Sequence, residues 1–185
     1  RSTAFTAPTF NQLFFPGFGN PGLQPEKALS NELGLQYAAD THLLRLALFR
    51  TEYRNLIQSV AVAPGVFQSL NIGQARVEGT ELCYSGQFDG WDIRTSLTAQ
   101  DPINIATGAL LRRRGKTFGN LSVNTTLSGW RLGAETIIGS SRPDNDIVSG
   151  APVTLGGYTV VNLTARYPFT KSTFIAARLE NAFDE

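Results

Sequence analysis

The sequence predicts an all-β chain folded as an antiparallel up-and-down sheet, and three observations carry that prediction. Apolar and polar residues alternate with a period of two along most of the chain, and no segment sustains a capped helical period over several turns. The connections between alternating segments are short and long in turn. Tyr and Trp residues gather on the apolar side of the pattern, each beside a short connection.

Residues 1–5 read as the end of a strand. Next, Leu29, Asn31, Leu33, Leu35 and Tyr37 alternate with Ser30, Glu32, Gly34 and Gln36. Trp91, Ile93, Thr95, Leu97 and Ala99 oppose Asp92, Arg94, Ser96 and Thr98, and Leu121, Val123 and Leu127 oppose Ser122, Asn124 and Thr126. The pattern repeats in Trp130, Leu132, Ala134 and Ile138 against Arg131, Gly133 and Glu135. It recurs in Thr159, Val161, Leu163 and Tyr167 against Asn162, Thr164 and Arg166, and finally in Ile175, Ala177 and Leu179 against Phe174, Arg178 and Glu180. Across these six strands every charge lies on one face.

Two strands are less regular. In residues 43–53, Arg45 opposes Leu44, Leu46 and Leu48, but Arg50 falls on the apolar side, which requires a bulge or a strand running past the apolar band. In residues 74–88, Arg76 and Glu78 stand above Leu82 and Tyr84, so the first half of this strand is expected to be solvated on both faces.

Short connections are expected at residues 38–42, 86–90, 128–129 and 168–172, and long ones at 6–26, 59–70, 101–116 and 139–157. In a meander the short turns share one end of the sheet and the long loops the other. Tyr37, Trp91, Trp130 and Tyr167 then form a row at the plain end. A soluble β-sandwich would account equally well for an apolar face but gives no reason for such a row. A membrane interface does, since amphipathic rings settle at headgroup level around a transmembrane barrel.

Composition narrows function by exclusion. Charged residues are 17% of the 185, and 16 Lys and Arg against 15 Asp and Glu leave a net charge of +1, so nucleic-acid binding is not indicated. Cys83 is the only cysteine and His42 the only histidine, which rules out an intrachain disulfide and His-rich or thiolate metal sites. His42, two residues after Asp40 in a short turn, reads as a surface histidine because no nucleophile is arranged near it in sequence. Residues 17–22 formally satisfy G-x-G-x-x-G, yet Pro21 and Pro25 prevent the helix a dinucleotide site needs, so they read as a turn-rich loop. Asp144, Asn145 and Asp146 have calcium-like chemistry without the rest of an EF-hand loop, and a solvated loop is the better reading. Three N-x-S/T matches, beginning at Asn120, Asn124 and Asn162, lie inside strands and read as chance. Two clusters stand out as ligand-contact candidates in long loops: Phe14, Phe15 and Phe18, and the basic run Arg112, Arg113, Arg114 with Lys116. The first reads equally as loop packing. The second reads as a solvated run or as a partner for anionic ligand groups or lipopolysaccharide phosphates.

The ordered set Phe5-Thr6-Ala7-Pro8-Thr9-Phe10, Gly19-Asn20-Pro21, Leu23-Gln24-Pro25-Glu26 and Glu32-Leu33-Gly34 resembles the C-terminal barrel of TonB-dependent outer-membrane receptors. Asn71-Ile72-Gly73-Gln74-Ala75 running into Gly79-Thr80-Glu81-Leu82, and Leu179-Glu180-Asn181-Ala182-Phe183-Asp184, are similar to further landmarks of that family. Leu110-Leu111-Arg112-Arg113 after Asp101-Pro102, and Gly156-Gly157-Tyr158 leading to Arg166-Tyr167, look most like its cobalamin (vitamin B12) transporter branch. The resemblance implies a transmembrane β-barrel of 22 strands in the bacterial outer membrane, surrounded by lipid and lipopolysaccharide. An N-terminal plug would fill its lumen and engage TonB. Residues 1–185 would be about nine strands of the C-terminal part, with plug and final strand absent. It further implies capture of cobalamin, or of a ferric siderophore on the same barrel, by the long loops, with Phe14, Phe15, Phe18, Arg112 and Arg113 as ligand contacts. No metal ligand or cofactor is carried onto these residues, and transport makes and breaks no covalent bond. A membrane-barrel hydrolase is the remaining alternative, with His42 as its only candidate base.

Overall fold

The computed structural model describes residues 1–184, and Glu185 lies outside the described residues. The chain runs β1 (Ser2–Thr6), α1 (Phe10–Phe14), β2 (Glu26–Ala39), β3 (His42–Arg54), β4 (Ile57–Ala63), β5 (Val66–Asn71), β6 (Gln74–Phe88), β7 (Trp91–Asn104), β8 (Thr117–Leu127), β9 (Trp130–Gly139), β10 (Arg142–Asn145), β11 (Pro152–Leu155), β12 (Tyr158–Pro168) and β13 (Phe174–Leu179). Nine of these strands form one sheet in the order β1-β2-β3-β6-β7-β8-β9-β12-β13, and every pairing is antiparallel. The remaining four make two separate hairpins, β4 with β5 and β10 with β11. Each main strand therefore pairs with the next one along the chain, the hairpins being excursions inside long connections. Two connections expected to be long loops thus carry strands of their own.

The short turns follow from local chemistry. Asp89-Gly90 and Ser128-Gly129 have positive φ at both positions (47° and 81°; 50° and 82°) and join strands whose last and first residues pair directly. That is the turn geometry whose twist matches the flanking strands, and it favours glycine second. Asp40 supplies the positive φ between Ala39 and His42.

Register carries the alternation across the sheet. Leu35, Leu46, Leu82 and Leu97 stand in one cross-strand row on the apolar face, while Gln36, Arg45, Cys83 and Ser96 form the adjacent row on the other. No second layer covers the apolar face among the described residues: Leu33 and Leu35 are 70% and 71% exposed, and Leu48 is 50% exposed. A sandwich would bury these side chains against a partner sheet, so the sandwich reading fails on the topology. A single sheet with an uncovered apolar face requires an apolar solvent.

At the plain end the expected aromatic row is present. Trp130 and Tyr167 rings lie 5.0 Å apart, and Tyr167 contacts Phe169 at 5.2 Å. Tyr84 joins the row on the same face, its hydroxyl 2.8 Å from Nδ1 of His42, which opens β3 rather than sitting in the turn.

One open alternative is decided and one expectation is corrected. The β2–β3 ladder runs without a bulge from Lys27↔Arg54 to Ala39↔His42, so Arg50 lies on the apolar side because the strand continues past its leucines. There it is neutralised, with Glu52 at 2.6 Å and Glu78 at 4.0 Å. The first half of β6 is not solvated on both faces. Ala75 and Val77 are 0% and 5% exposed, covered by Leu56 and Leu111 from the connections, with Phe49, Tyr53 and Ile72 packed around them. This small core sits at the long-loop end and anchors loops to the sheet.

Charge placement on the two faces should have unequal cost. Leu97→Arg, in the middle of the apolar rows, is expected to destabilise the folded protein in lipid vesicles by about 2–4 kcal/mol. Ser122→Lys, on the opposite face between Arg94 and Glu135 in register, should cost far less. Denaturant titration of the two variants from the same vesicles measures the difference.

Candidate functional site: the tied long loops

The first long connection is built by capping and turn chemistry. Thr9 caps α1, the Gln12 N–H donating to Thr9 Oγ1 at 3.3 Å while the Thr9 N–H donates to Gln12 Oε1 at 2.8 Å. The helix stops at once because Gly19 folds back on it: a Cβ there would lie 2.7 Å from backbone atoms of Leu13, Phe14 and Phe15. The glycines of residues 17–22 thus serve a tight reversal. Phe14 packs on Phe10 with ring centroids 5.2 Å apart, and Phe14 and Phe15 each remain 55% exposed. Phe18 is half-buried, and its carbonyl accepts from the Ser69 N–H at 2.9 Å.

Two asparagines then clamp this connection to the β4–β5 hairpin. Asn20 donates from Nδ2 to the Ser69 carbonyl at 3.2 Å and accepts the Gly22 N–H at 2.9 Å. Asn71 accepts the Gln24 N–H at 2.8 Å and donates to the Gln24 and Asn55 carbonyls at 3.0 and 2.6 Å. Glu26 completes the tie by accepting the Ile57 N–H at 2.7 Å. The sequence landmarks around Asn20, Glu26 and Asn71 are therefore a loop clamp, satisfying backbone groups that no ladder reaches.

The third and fourth long connections are joined in the same way. Leu111 turns inward, donates its N–H to the Pro102 carbonyl at 2.8 Å and is 2% exposed. Arg113, at φ 60°, donates its N–H to the Pro143 carbonyl at 2.8 Å, and its Nε reaches Asp144 Oδ2 at 2.9 Å. The tip of the β10–β11 hairpin in turn meets β4–β5, where a Cβ at Gly65 would lie 3.0 Å from the Val148 carbonyl and one at Gly150 would lie 3.2 Å from Ala61. All four long connections are thus linked.

The shelter around Asp144 would by itself raise its carboxyl pKa, but the Asn145 N–H and the Arg113 guanidinium, with Arg112 nearby, outweigh it and hold the group below 3.8. Asp146 is held low by the N–H and hydroxyl of Ser149 and the N–H of Val148. Both carboxylates of the calcium-like triplet are therefore engaged within the protein.

Of the expected contacts, Phe14 and Phe15 are open to solvent, Arg112 is half-buried, and Arg113 engages Asp144 through Nε while its side chain stays 75% exposed. The phenylalanines dock beside β5 and the arginines beside β10, and among the described hydrogen bonds, ion pairs and ring contacts none joins the two groups. Sequence reasoning misses a set of rings on the polar face at the loop end. Tyr53 lies under the Arg114 guanidinium at 5.8 Å, Tyr158 under Arg142 at 5.7 Å, and Phe118 shares that face through its pairing with Thr98 and Gly139. Residue parity reveals Tyr158 and Phe118 once their strands are started one and three residues earlier.

The TonB dependent receptor-like β-barrel profile matches residues 2–182. The chain belongs to the TonB-dependent receptor family. Its barrels are outer-membrane proteins of Gram-negative bacteria, which places the apolar face of this sheet in lipid. Among curated relatives, the chain is 29% identical over 184 residues to the vitamin B12 transporter BtuB of Vibrio vulnificus, covering 99% of this chain and 29% of that one. It is 27% identical over 194 residues to the ferrienterobactin receptor of Escherichia coli K12, covering 90% and 25%. Among solved structures, the copper transporter OprC superposes with a TM-score of 0.78 at 23% identity, over 99% of this chain and 30% of that one. The ferric enterobactin receptor PfeA of Pseudomonas aeruginosa gives 0.76 at 24% identity, over 99% and 32%. The chain thus spans under a third of the length of these proteins, and the structural likenesses establish the barrel-wall fold of this TonB-dependent receptor segment.

Two measurements probe the ties. Asn71→Ala removes three hydrogen bonds, each worth ~1 kcal/mol, and is expected to speed amide exchange at Gln24 while leaving β7 and β8 unchanged. The depressed Asp144 carboxyl makes its tie to Arg113 fully present above 3.8, the ordinary value, and lost only as pH falls through the lower folded-state value. Exchange at the Arg113 amide should therefore stay slow through neutral and mildly acidic pH and rise only below that range. Asp144→Asn should show the fast exchange at neutral pH.

Proposed function

We propose that this segment forms part of the wall and outer loops of an outer-membrane receptor that captures cobalamin and imports it with energy delivered through TonB. The observation that carries the reading is the set of four long connections gathered at one end of a lipid-facing sheet and tied to one another, a built rim instead of four independent loops. The vitamin B12 transporter relative, aligned over nearly the whole chain, supports cobalamin as the nutrient. The opposite face supports a filled lumen: Arg131 and Arg166 stand directly across the β9–β12 ladder, Arg131 without an ion pair among the described residues and Arg166 over the Phe174 ring at 3.9 Å. A plug in the lumen would supply the counter-charge there, and would be the part that engages TonB.

In this reading Phe14, Phe15 and Phe18 offer apolar contact to a bulky ligand, and Arg112 offers a cation. Arg113 acts through Asp144 by positioning the arginine loop. Tyr53 with Arg114, and Tyr158 with Arg142, line the descent beneath the rim. A second reading, a ferric-siderophore receptor, is favoured by those guanidinium-capped rings, which suit an anionic aromatic chelate, and by the ferrienterobactin receptor among the relatives.

Uptake of radiolabelled cobalamin by cells carrying the complete receptor separates the two readings. Cobalamin uptake is expected, and its absence alongside intact ferric-chelate uptake would overturn the first reading in favour of the second. With the nutrient in hand, Phe15→Ala and Arg112→Ala should each weaken binding by roughly 5- to 30-fold, as truncated interface anchors do. Unchanged affinity in both would remove these residues from the contact set.

A further inference from the structure

The basic residues on the apolar face are distributed unevenly. Arg50 and Arg76 share Glu52 and Glu78, with separations of 2.6 Å for Arg50–Glu52 and 3.4 Å for Arg76–Glu78. Lys27 and Arg54 have no such compensation. They stand directly opposite each other in the β2–β3 ladder, their next neighbours across the sheet are Phe5 and Gln74, and neither forms an ion pair among the described residues. Glu52 is the nearby acid on the same face, and Arg50 already engages it. Like charges placed directly across a ladder destabilise it unless something neutralises them.

Their height identifies the neutralising group. Lys27 lies ten residues along β2 from Tyr37 of the aromatic row, and Arg54 lies equally far along β3 from Leu44, the partner of Tyr37. At ~3.4 Å per residue and a tilt of about 45°, ten residues rise about 24 Å, matching the ~25 Å apolar band of an outer-membrane barrel. With the aromatic row at one headgroup layer, Lys27 and Arg54 stand at the other, facing outward. The self-neutralised Arg50, Glu52, Arg76 and Glu78 sit lower, where unpaired charge would be costly. A groove of about 490 Å³ opens beside the two cations, lined by Arg1, Phe5, Lys27, Leu29, Arg54 and the Arg50-engaged Glu52 among others, so apolar surface adjoins a set of charges in which cations outnumber the one carboxylate.

We propose that Lys27 and Arg54 form a binding site for the phosphate of a lipid headgroup in the leaflet at the long-loop end, with the lipid's acyl chain running down the groove past Leu29. Charge complementarity selects phosphate, and the adjoining apolar surface selects a lipid-borne one. The inference rests on the placement of the apolar face in the membrane and is independent of which nutrient the receptor carries.

The test uses the complete receptor in phosphatidylcholine nanodiscs doped with diphosphorylated lipid A, with bound lipid A counted by native mass spectrometry. Lys27→Gln with Arg54→Gln is expected to weaken retention about 25-fold, from about fivefold per cation at a membrane surface. The exchange Lys27→Arg with Arg54→Lys should retain binding and shows that the ladder tolerates substitution. Arg131→Gln, on the opposite face, should leave binding unchanged. Equal retention in the Gln double variant would overturn the proposal. So would equal retention of dephosphorylated lipid A, or displacement by millimolar inorganic phosphate, which would assign the site to a free anion.

Discussion

Hydrocarbon offers no partner to a backbone N–H or carbonyl, and everything in this chain follows from meeting that constraint laterally, strand against strand. The nine-stranded ladder does so with continuous registers and two-residue turns whose glycines adopt the left-handed conformation the twist demands. Once the backbone is satisfied in this way, side chains are left to serve two different solvents. Leu35, Leu46, Leu82 and Leu97 meet acyl chains, and the row beside them, Gln36, Arg45, Cys83 and Ser96, meets the lumen. Stability does not come from a large interior: among the described residues the packed apolar cluster is Leu56, Ala75, Val77 and Leu111 with three partly covered neighbours, and Leu23 and Ala47 are buried apart from it.

That small core lies where the wall hands over to the loops, and its location has a functional consequence. Outside the ladder, the backbone of the long connections must find partners one at a time, and Asn20, Glu26 and Asn71 supply them from side chains. Arg113 and Asp144 add a charged tie between two further connections. On the proposed function, a rim assembled by such ties would be pre-organised, lowering the entropic cost of closing around a bulky ligand. It also leaves the exposed rings of Phe14 and Phe15 on a supported helix turn instead of a free loop.

The strand pattern, the plain and elaborated ends, the aromatic row and the polar face are legible in the amino-acid order, because each depends on residue parity and on turn residues within a few positions. The strands are longer than that pattern predicts at the loop end. Alternation is visible only through apolar residues, and the ladder continues where both faces have turned polar, as at Lys27 and Arg54. The same cause hides Tyr158 and Phe118. Burial of Ala75 and Val77 is unreadable for a different reason: the residues covering them, Leu56 and Leu111, lie 19 and 36 positions away from Ala75 in connections with no period of their own. The hairpins within those connections escape notice likewise.

By itself, the sequence determined which face of each strand meets lipid and which end of the sheet carries the loops, since period-two alternation and turn chemistry act between near neighbours. It also singled out Asn20 and Asn71 as landmarks. Only the tertiary structure decided what those landmarks do, which loops hold one another, that Arg113 engages Asp144, and that Lys27 and Arg54 face each other with no ion pair among the described residues. Those contacts join residues distant in the chain, and their geometry exists only after the ladder has set every strand's register.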